Sequence, residues 1–408
     1  MKVFSRFYQR DIKKLVSQLT PKGSKVLTYS NENIEPQRYD YIVLPNTIAH
    51  WNDIQFEIKK LKKYSHKDTR FVVIYFNQFW KPILNFATKL SLRKKEDKPS
   101  NWLSTDDIVN VFNLEGFDVI RKGKRFLLPI DLGIVTSFIN TLVAKLPLIN
   151  DLCLTTYIIF KRRPPTKNYS VSIIIPARNE QGNIPNMISK IPKIGKNMEI
   201  IFVEGKSNDK TYDYILKEIN KNKENKKIAK LYKQQGVGKA DAVRLGFKKA
   251  KNDILIILDA DLTVNPKDLI KFYEAISKGY CDFANGSRLV YPLEKQAMQT
   301  LNFFGNKIFS IIFTYLLDQK VNDTLCGTKA LFRKDYIKIC DNRNYFGNFD
   351  PFGDYDLLFG ATKLNLKICE IPARYRERTY GQTNINRYSH GWLLLKMTLF
   401  AAKKLKFI

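Results

Sequence analysis

Three nearly unbroken apolar runs, each ending in a polar cluster, constrain this chain more than any other feature. Val171-Ser172-Ile173-Ile174-Ile175-Pro176 leads into Arg178-Asn179-Glu180. Ile200-Ile201-Phe202-Val203 leads into Glu204-Gly205-Lys206-Ser207-Asn208-Asp209. Ile254-Leu255-Ile256-Ile257-Leu258 leads into Asp259-Ala260-Asp261. Short runs rich in Ile and Val read as strands buried on both faces. Helical patterns separate them, and a glycine loop, Gly236-Val237-Gly238-Lys239, opens one of those helices. Repeated strand–helix units of this kind make an α/β sheet that binds ligands beyond the carboxyl ends of its strands.

The polar clusters point to phosphate and metal chemistry. Asp259 and Asp261 sit two apart at the end of an extended segment, so their carboxylates are expected on one side. Such a pair suits a hard cation, Mg²⁺ or Mn²⁺, that would also bind substrate phosphates. Lys239 in the glycine loop could reach the same phosphates. Further on, Asp354 and Asp356 in Phe352-Gly353-Asp354-Tyr355-Asp356-Leu357 offer carboxylates for a general base, with Asp323 as a weaker rival. The bland alternative is that these aspartates cap turns or helices.

From Val171 to about Arg387 the chain resembles family 2 of the glycosyltransferases, with the GT-A fold. Within that family it looks most like the dolichyl- or polyprenyl-phosphate sugar transferases. The resemblance rests on Pro176-Ala177-Arg178-Asn179-Glu180, Val203 to Thr211, Asp259-Ala260-Asp261, Gly286-Ser287-Arg288, Glu370-Ile371-Pro372 and Arg378-Thr379-Tyr380-Gly381-Gln382-Thr383-Asn384. It implies an inverting, metal-dependent transfer from a GDP- or UDP-sugar to a lipid-phosphate or glycan acceptor. By the same resemblance Pro176, Ala177, Arg178, Glu180, Val203 and Glu204 would hold the donor, with Lys239, Asp259 and Arg288. Asp259 and Asp261 would hold the metal, and Arg378 would act at the phosphates. Two positions depart from the family pattern. Glu204-Gly205 stands for a pair of aspartates, and Asn384 stands for a lysine.

The first part alternates α and β. Expected are an amphipathic helix before Pro21-Lys22-Gly23-Ser24 and strands at Lys25–Leu27, Tyr39–Leu44, Arg70–Phe76 and Gly116–Ile120. Tyr39–Leu44, the His50 segment and Gly116–Val119 resemble the second half of an S-adenosylmethionine-dependent methyltransferase. The first half of that fold is too short here, and Thr28-Tyr29-Ser30-Asn31 replaces its glycine turn. A truncated domain without S-adenosylmethionine is therefore expected. The fold class expected for the chain is α/β in two domains, a truncated Rossmann-like methyltransferase-type domain and a GT-A nucleotide-sugar domain with a mixed sheet. The expected boundaries are 1–125 for the first, 126–168 for an apolar and basic connection, 169–387 for the second and 388–408 for a basic tail.

Charge bears on partners. Lys and Arg number 69 against 39 Asp and Glu, a net +30, which calls for an anionic partner. Nucleic acid would be one. The basic residues are spread along the chain with no recognisable binding module, so no nucleic acid is expected. Phosphorylated substrates are another, and an anionic membrane face is a third. No stretch is long and uncharged enough to span a bilayer. Leu301–Phe313, Phe126–Phe160 and the tail from Trp392 instead suit segments lying in an interface. The expected location is cytoplasmic, without a signal peptide, peripheral on the inner membrane face. The five scattered cysteines argue against a disulfide framework.

Overall fold

The computed structural model describes residues 2–29, 34–91, 101–221, 223–292, 300–342, 353–381 and 387–407, with the side chains of 2–6, 300–303, 354 and 387–391 excepted. The chain forms two compact units. The first comprises Met1–Pro164 with Lys363–Asn365 and Lys403–Ile408, and the second comprises Pro165–Thr362 with Leu366–Ala402.

The first unit is built on a five-stranded mixed sheet of order β1-β2-β3-β5-β4. Its strands are β1 (Val26–Thr28), β2 (Tyr39–Pro45), β3 (Ser65–Phe76), β4 (Phe117–Arg125) and β5 (Thr155–Arg162). β1, β2 and β3 are parallel, and β5 runs antiparallel between β3 and β4. The helices are α1 (Lys2–Leu19), α2 (Ile54–Leu61), α3 (Lys81–Lys89), α4 (Thr105–Leu114) and α5 (Ile134–Thr141). Local chemistry sets their starts. Asp53 accepts from the Phe56 amide at 2.9 Å, and Ser104 with Asp107 forms a reciprocal capping box at α4. Phe71, Phe112, Phe117 and Phe160 pack ring against ring in the core.

This corrects one expected boundary. Residues 126–168 are not simply a connection, because β5 supplies a buried interior strand of the first sheet. The first unit therefore runs to Pro164.

The second unit holds a seven-stranded sheet of order β12-β10-β11-β9-β6-β7-β8. The strands are β6 (Val171–Ala177), β7 (Met198–Glu204), β8 (Ala229–Lys233), β9 (Ile254–Ile257), β10 (Phe283–Ser287), β11 (Lys329–Phe332) and β12 (Ile368–Pro372). β11 alone is antiparallel to its neighbours β9 and β10. The helices are α6 (Met187–Lys190), α7 (Thr211–Asn220), α8 (Lys223–Ile228), α9 (Lys239–Lys249), α10 (Leu269–Ser277), α11 (Thr300–Leu317), α12 (Arg333–Asp341), α13 (Asp354–Lys363) and α14 (Arg387–Ala401). Ile173, Ile200, Phe202, Ile254 and Ile256 are fully buried in the sheet. Each such side chain contributes roughly 1.5–3 kcal/mol by leaving water. The expected tail at 388–408 is mostly α14, which belongs to this unit, and only Lys403–Ile408 groups with the first.

The strand order turns back at β6: β7 and β8 lie to one side and β9 to the other. Ligands of open α/β sheets bind at such a point. A disulfide joins Cys281, just before β10, to Cys369 in β12, against the expectation of unpaired cysteines. Among the described residues no helix is long and apolar enough to cross a membrane.

Candidate active site

The ends of β6, β7 and β9 converge at the turning point, and their loops are stitched to one another. The Asn179 amide donates to Ser207 Oγ at 3.0 Å, and the Asn208 amide returns a bond to Asn179 Oδ1 at 2.9 Å. The Glu180 amide donates to Thr211 Oγ1 at 2.8 Å. Asn179 and Lys206 hold positive φ values of 55° and 56°, which turns both loops sharply beyond their strands. Polar clusters that read as separate in the sequence thus form one rim.

Asp259 and Asp261 follow β9. The Leu262 amide closes a tight turn on the Asp259 carbonyl at 3.2 Å, and Leu262 takes a φ of 53°. Each carboxylate meets a different cation. Lys239 Nζ lies 2.6 Å from Asp259 Oδ1, and Arg378 donates to Asp261 Oδ2 at 2.6 Å. Burial alone would raise the Asp259 pKa, but Lys239, Lys329 and Arg288 outweigh it and hold the group below the usual carboxylate range. The other Asp261 oxygen accepts from the amide and hydroxyl of Thr263 at 3.1 and 2.9 Å.

Arg378 reaches Asp261 because the preceding chain runs beside the Thr263–Asn265 segment. Val264 and Tyr375 form an antiparallel bridge, and the Arg376 amide donates to the Thr263 carbonyl at 2.8 Å. A second nitrogen of Arg378 contacts Glu180 at 3.3 Å, so one guanidinium spans two carboxylates. Burial raises the Glu180 pKa to about 7, with Asp261 and Asp259 adding to it and Asn183 and Arg378 opposing it.

Gly327 stands in the Asn322–Lys329 loop, close against the site. A Cβ built there would stand 2.2 Å from Lys239 Nζ and 2.3 Å from Asp259 Oδ2. A side chain there would force the Lys239–Asp259 pair to shift where the Asn322–Lys329 loop crosses it. Asn322-Asp323-Thr324 and the glycine three residues beyond Thr324 mark this loop in the sequence.

The other expected site residues divide. Arg178 is exposed at the rim, with its Cβ beside Gly205. Val203 and Ala177 are buried, and Pro176 is half-buried, so they shape the strand ends. Glu204 Oε1 accepts from the Ser207 amide at 2.6 Å, capping its own turn.

Arg288, expected at the phosphates, is half-buried and grips Asp323 through two nitrogens at 2.7 and 2.9 Å. Asp323 also accepts from Asn306 at 2.8 Å and from the Leu325 amide at 3.0 Å. Burial would raise the Asp323 pKa, but Arg288 and these donors bring it down to about 2. A carboxylate so saturated cannot serve as a base. Asp356 is also corrected. Its side chain is buried against Arg244 of α9, 3.1 Å away, and so does not open onto the rim. The Asp354 side chain and Asn384 lie outside the described residues.

The donor set fits a divalent cation. Mg²⁺ and Mn²⁺ take one or two protein carboxylates and leave other positions to phosphate oxygens and water. Asp259 and Asp261 are such a pair.

Residues 172–340 match the family described as glycosyl transferase family 2. This stretch falls inside the second unit. The dolichol-phosphate mannosyltransferase of Pyrococcus furiosus is 38% identical over 122 residues, 29% of this chain and 33% of that protein. The undecaprenyl-phosphate 4-deoxy-4-formamido-L-arabinose transferase of Edwardsiella ictaluri is 32% identical over 219 residues, 52% of this chain and 62% of that one. The UDP-N-acetylglucosamine–dolichyl-phosphate N-acetylglucosaminyltransferase of Methanococcus voltae is 28% identical over 244 residues, 56% and 96% of the two chains. The chain thus spans about a third of the length of the first of these relatives and under two thirds of the second.

Proposed function

We propose that the chain transfers a sugar, with inversion, from a GDP- or UDP-sugar to a polyprenyl phosphate, a reading supported by the match of residues 172–340 to glycosyl transferase family 2. The second unit is then a GT-A domain, with Asp259 and Asp261 holding Mg²⁺ or Mn²⁺. The observation that carries this reading is the pairing of Lys239 and Arg378 with those two carboxylates. Cations already in place at a metal-binding pair suit the departure of a nucleoside diphosphate. When bound, the metal neutralises charge on that leaving group. Lys239 and Arg378 would each turn from a carboxylate to a phosphate oxygen, so positive charge follows the bond as it breaks. Arg178 and the Ser207–Thr211 turn would bound the nucleoside.

The acceptor reading has support of its own. The relatives described above are named for dolichyl and undecaprenyl phosphates. A phosphate acceptor is already an anion and needs no base. Asp356 and Asp323, the expected bases whose side chains are described, are both committed to arginines. That favours phosphate over the hydroxyl of a growing glycan.

We place the chain on the cytoplasmic membrane face. In support, α11 exposes Phe304, Ile308 and Ile311, and α14 exposes Trp392, Leu395 and Leu399, each set at helical spacing. The first unit we read as the shortened methyltransferase-like domain that its sequence resembles, without S-adenosylmethionine. A three-residue β1 that ends at Thr28 and is followed by Tyr29 instead of glycine supports that.

The test is transfer by the purified chain from radiolabelled GDP- and UDP-sugars to a polyprenyl phosphate in detergent. Product should require Mg²⁺ or Mn²⁺, vanish with EDTA and return when metal is restored. Asp261→Asn should abolish it. Unchanged turnover in that variant, or transfer in EDTA, would overturn the metal assignment.

A further inference from the structure

We propose that the first unit carries its own membrane-docking surface, formed by α3 with its preceding turn and by residues 130–152, and that it fits an anionic lipid bilayer. This rests on the membrane placement proposed above but assigns a separate surface to a separate unit.

Phe79, Ile83, Phe86 and Leu90 recur at spacings of four, three and four, so they line one face of α3 and its flanking turns. All four are more than half exposed, Phe79 by 70%. The opposite face uses Leu84 for the core. Beyond β4, the chain holds out a second set of apolar side chains. Ile134, the first residue of α5, is 89% exposed, and Leu148 is 86% exposed. Leu148 adopts a φ of 69°, a backbone that leucine disfavours. An apolar side chain is therefore displayed to water on a strained turn.

The two sets form one surface. Trp80 Nε1 donates to the Leu152 carbonyl at 2.7 Å. Asn77 Nδ2 donates to the carbonyls of Asp151 and Cys153 at 2.8 and 3.0 Å. Contiguous exposed apolar area on this scale marks an interaction site.

Charge selects the occupant. Both carboxylates of the 130–152 segment face basic groups, Asp131 with Arg10 at 3.7 Å and Asp151 with Lys124 at 2.6 Å. Lys81 and Lys89 stand exposed at the two ends of α3. Lys145 donates to the Lys406 carbonyl, which brings the turn containing exposed Lys403 alongside. An apolar face with a lysine rim and masked carboxylates matches the boundary between anionic headgroups and acyl chains. A second copy would bring +30 against +30.

The test is density-gradient flotation of the full chain with phosphatidylglycerol-containing vesicles and with pure phosphatidylcholine vesicles. Three proteins are compared: wild type, Ile134→Glu with Leu148→Glu, and Ile308→Glu with Leu395→Glu. Wild type should float with anionic vesicles and respond to salt. The Ile134/Leu148 variant should lose roughly tenfold or more in partitioning. Its melting temperature, and the shift a nucleotide-sugar gives it, should match wild type. If that variant floats like wild type while the Ile308/Leu395 variant drops, membrane placement stands and this surface is wrong. If wild type does not float at all, both readings fall. If the Ile134/Leu148 substitutions instead split a lipid-free dimer in light scattering, the surface is a protein interface and the proposal is overturned.

Discussion

Arg378 donates to Asp261 at 2.6 Å across 117 positions of sequence, and the same guanidinium reaches Glu180. It ties the segment after β12 to the ends of both β6 and β9. Arg378→Ala should lower kcat/KM by roughly 100-fold, the scale of losing one preorganised donor at a departing charge. Arg378→Lys keeps the charge but not the two-armed reach, and should recover part of it. Steady-state kinetics with saturating metal checks both. Melting should barely move, because a third of the arginine side chain already faces water.

Arg288 and Asp323 make the opposite case, a structural pair inside the site. Removing one partner strands a buried charge, so Asp323→Asn should cost about 3–5 kcal/mol in urea unfolding at neutral pH. Its pH signature has a definite sign. The folded-state pKa, about 2, lies below the ordinary 3.8. Across that window the unfolded chain binds more protons, so the pair's stabilisation is whole above pH 3.8 and is lost as pH falls through 2. Acid unfolding curves of wild type should steepen there by roughly 2 kcal/mol relative to Asp323→Asn.

Asp356 separates the two acceptor classes. If its role is to hold Arg244, Asp356→Asn should destabilise the fold by about 1–2 kcal/mol, since Arg244 can still reach water. Turnover per folded molecule with a polyprenyl phosphate should stay within about twofold, as no base is needed. A fall of 100-fold with the fold intact would restore the hydroxyl-acceptor reading. Asp354→Asn, assayed separately, asks the same question of its neighbour.

How much of this could be read beforehand follows from how local each signal was. The strands β6, β7 and β9 were legible because each is a continuous apolar run bounded by polar residues. Asp259, Asp261 and Lys239 were legible because strand end and glycine loop fix them locally. Arg378 was legible only through a motif. Nothing near it in sequence says that the Val264–Tyr375 bridge will bring it to Asp261. β5 was missed because Thr155–Arg162 ends in basic residues and pairs with β3 and β4, distant in sequence. The pairing of Arg288 with Asp323 was hidden for the same reason. Its partner lies 35 positions on. The usable clue was chemical: Asp323 sits between apolar runs, and a buried aspartate needs a cation.

Gly327 gives the sharpest test of the site's geometry, because it carries no chemistry of its own. A methyl group there would stand 2.3 Å from Asp259 Oδ2 and 2.2 Å from Lys239 Nζ. The lysine tip can swing away, and the Asp259 carboxylate must then turn from its place beyond β9. Gly327→Ala should therefore displace the Asp259 carboxylate by a fraction of an ångström and lower kcat by roughly 10–100-fold. Gly327 is not among the glycines held at positive φ, so alanine brings no backbone strain and melting should stay close to wild type. Raising the Mn²⁺ concentration should recover part of the loss if Asp259 binds the metal. If Gly327→Ala turns over like wild type at low metal, the loop does not cross the pair as described, and the metal assignment loses its nearest structural support.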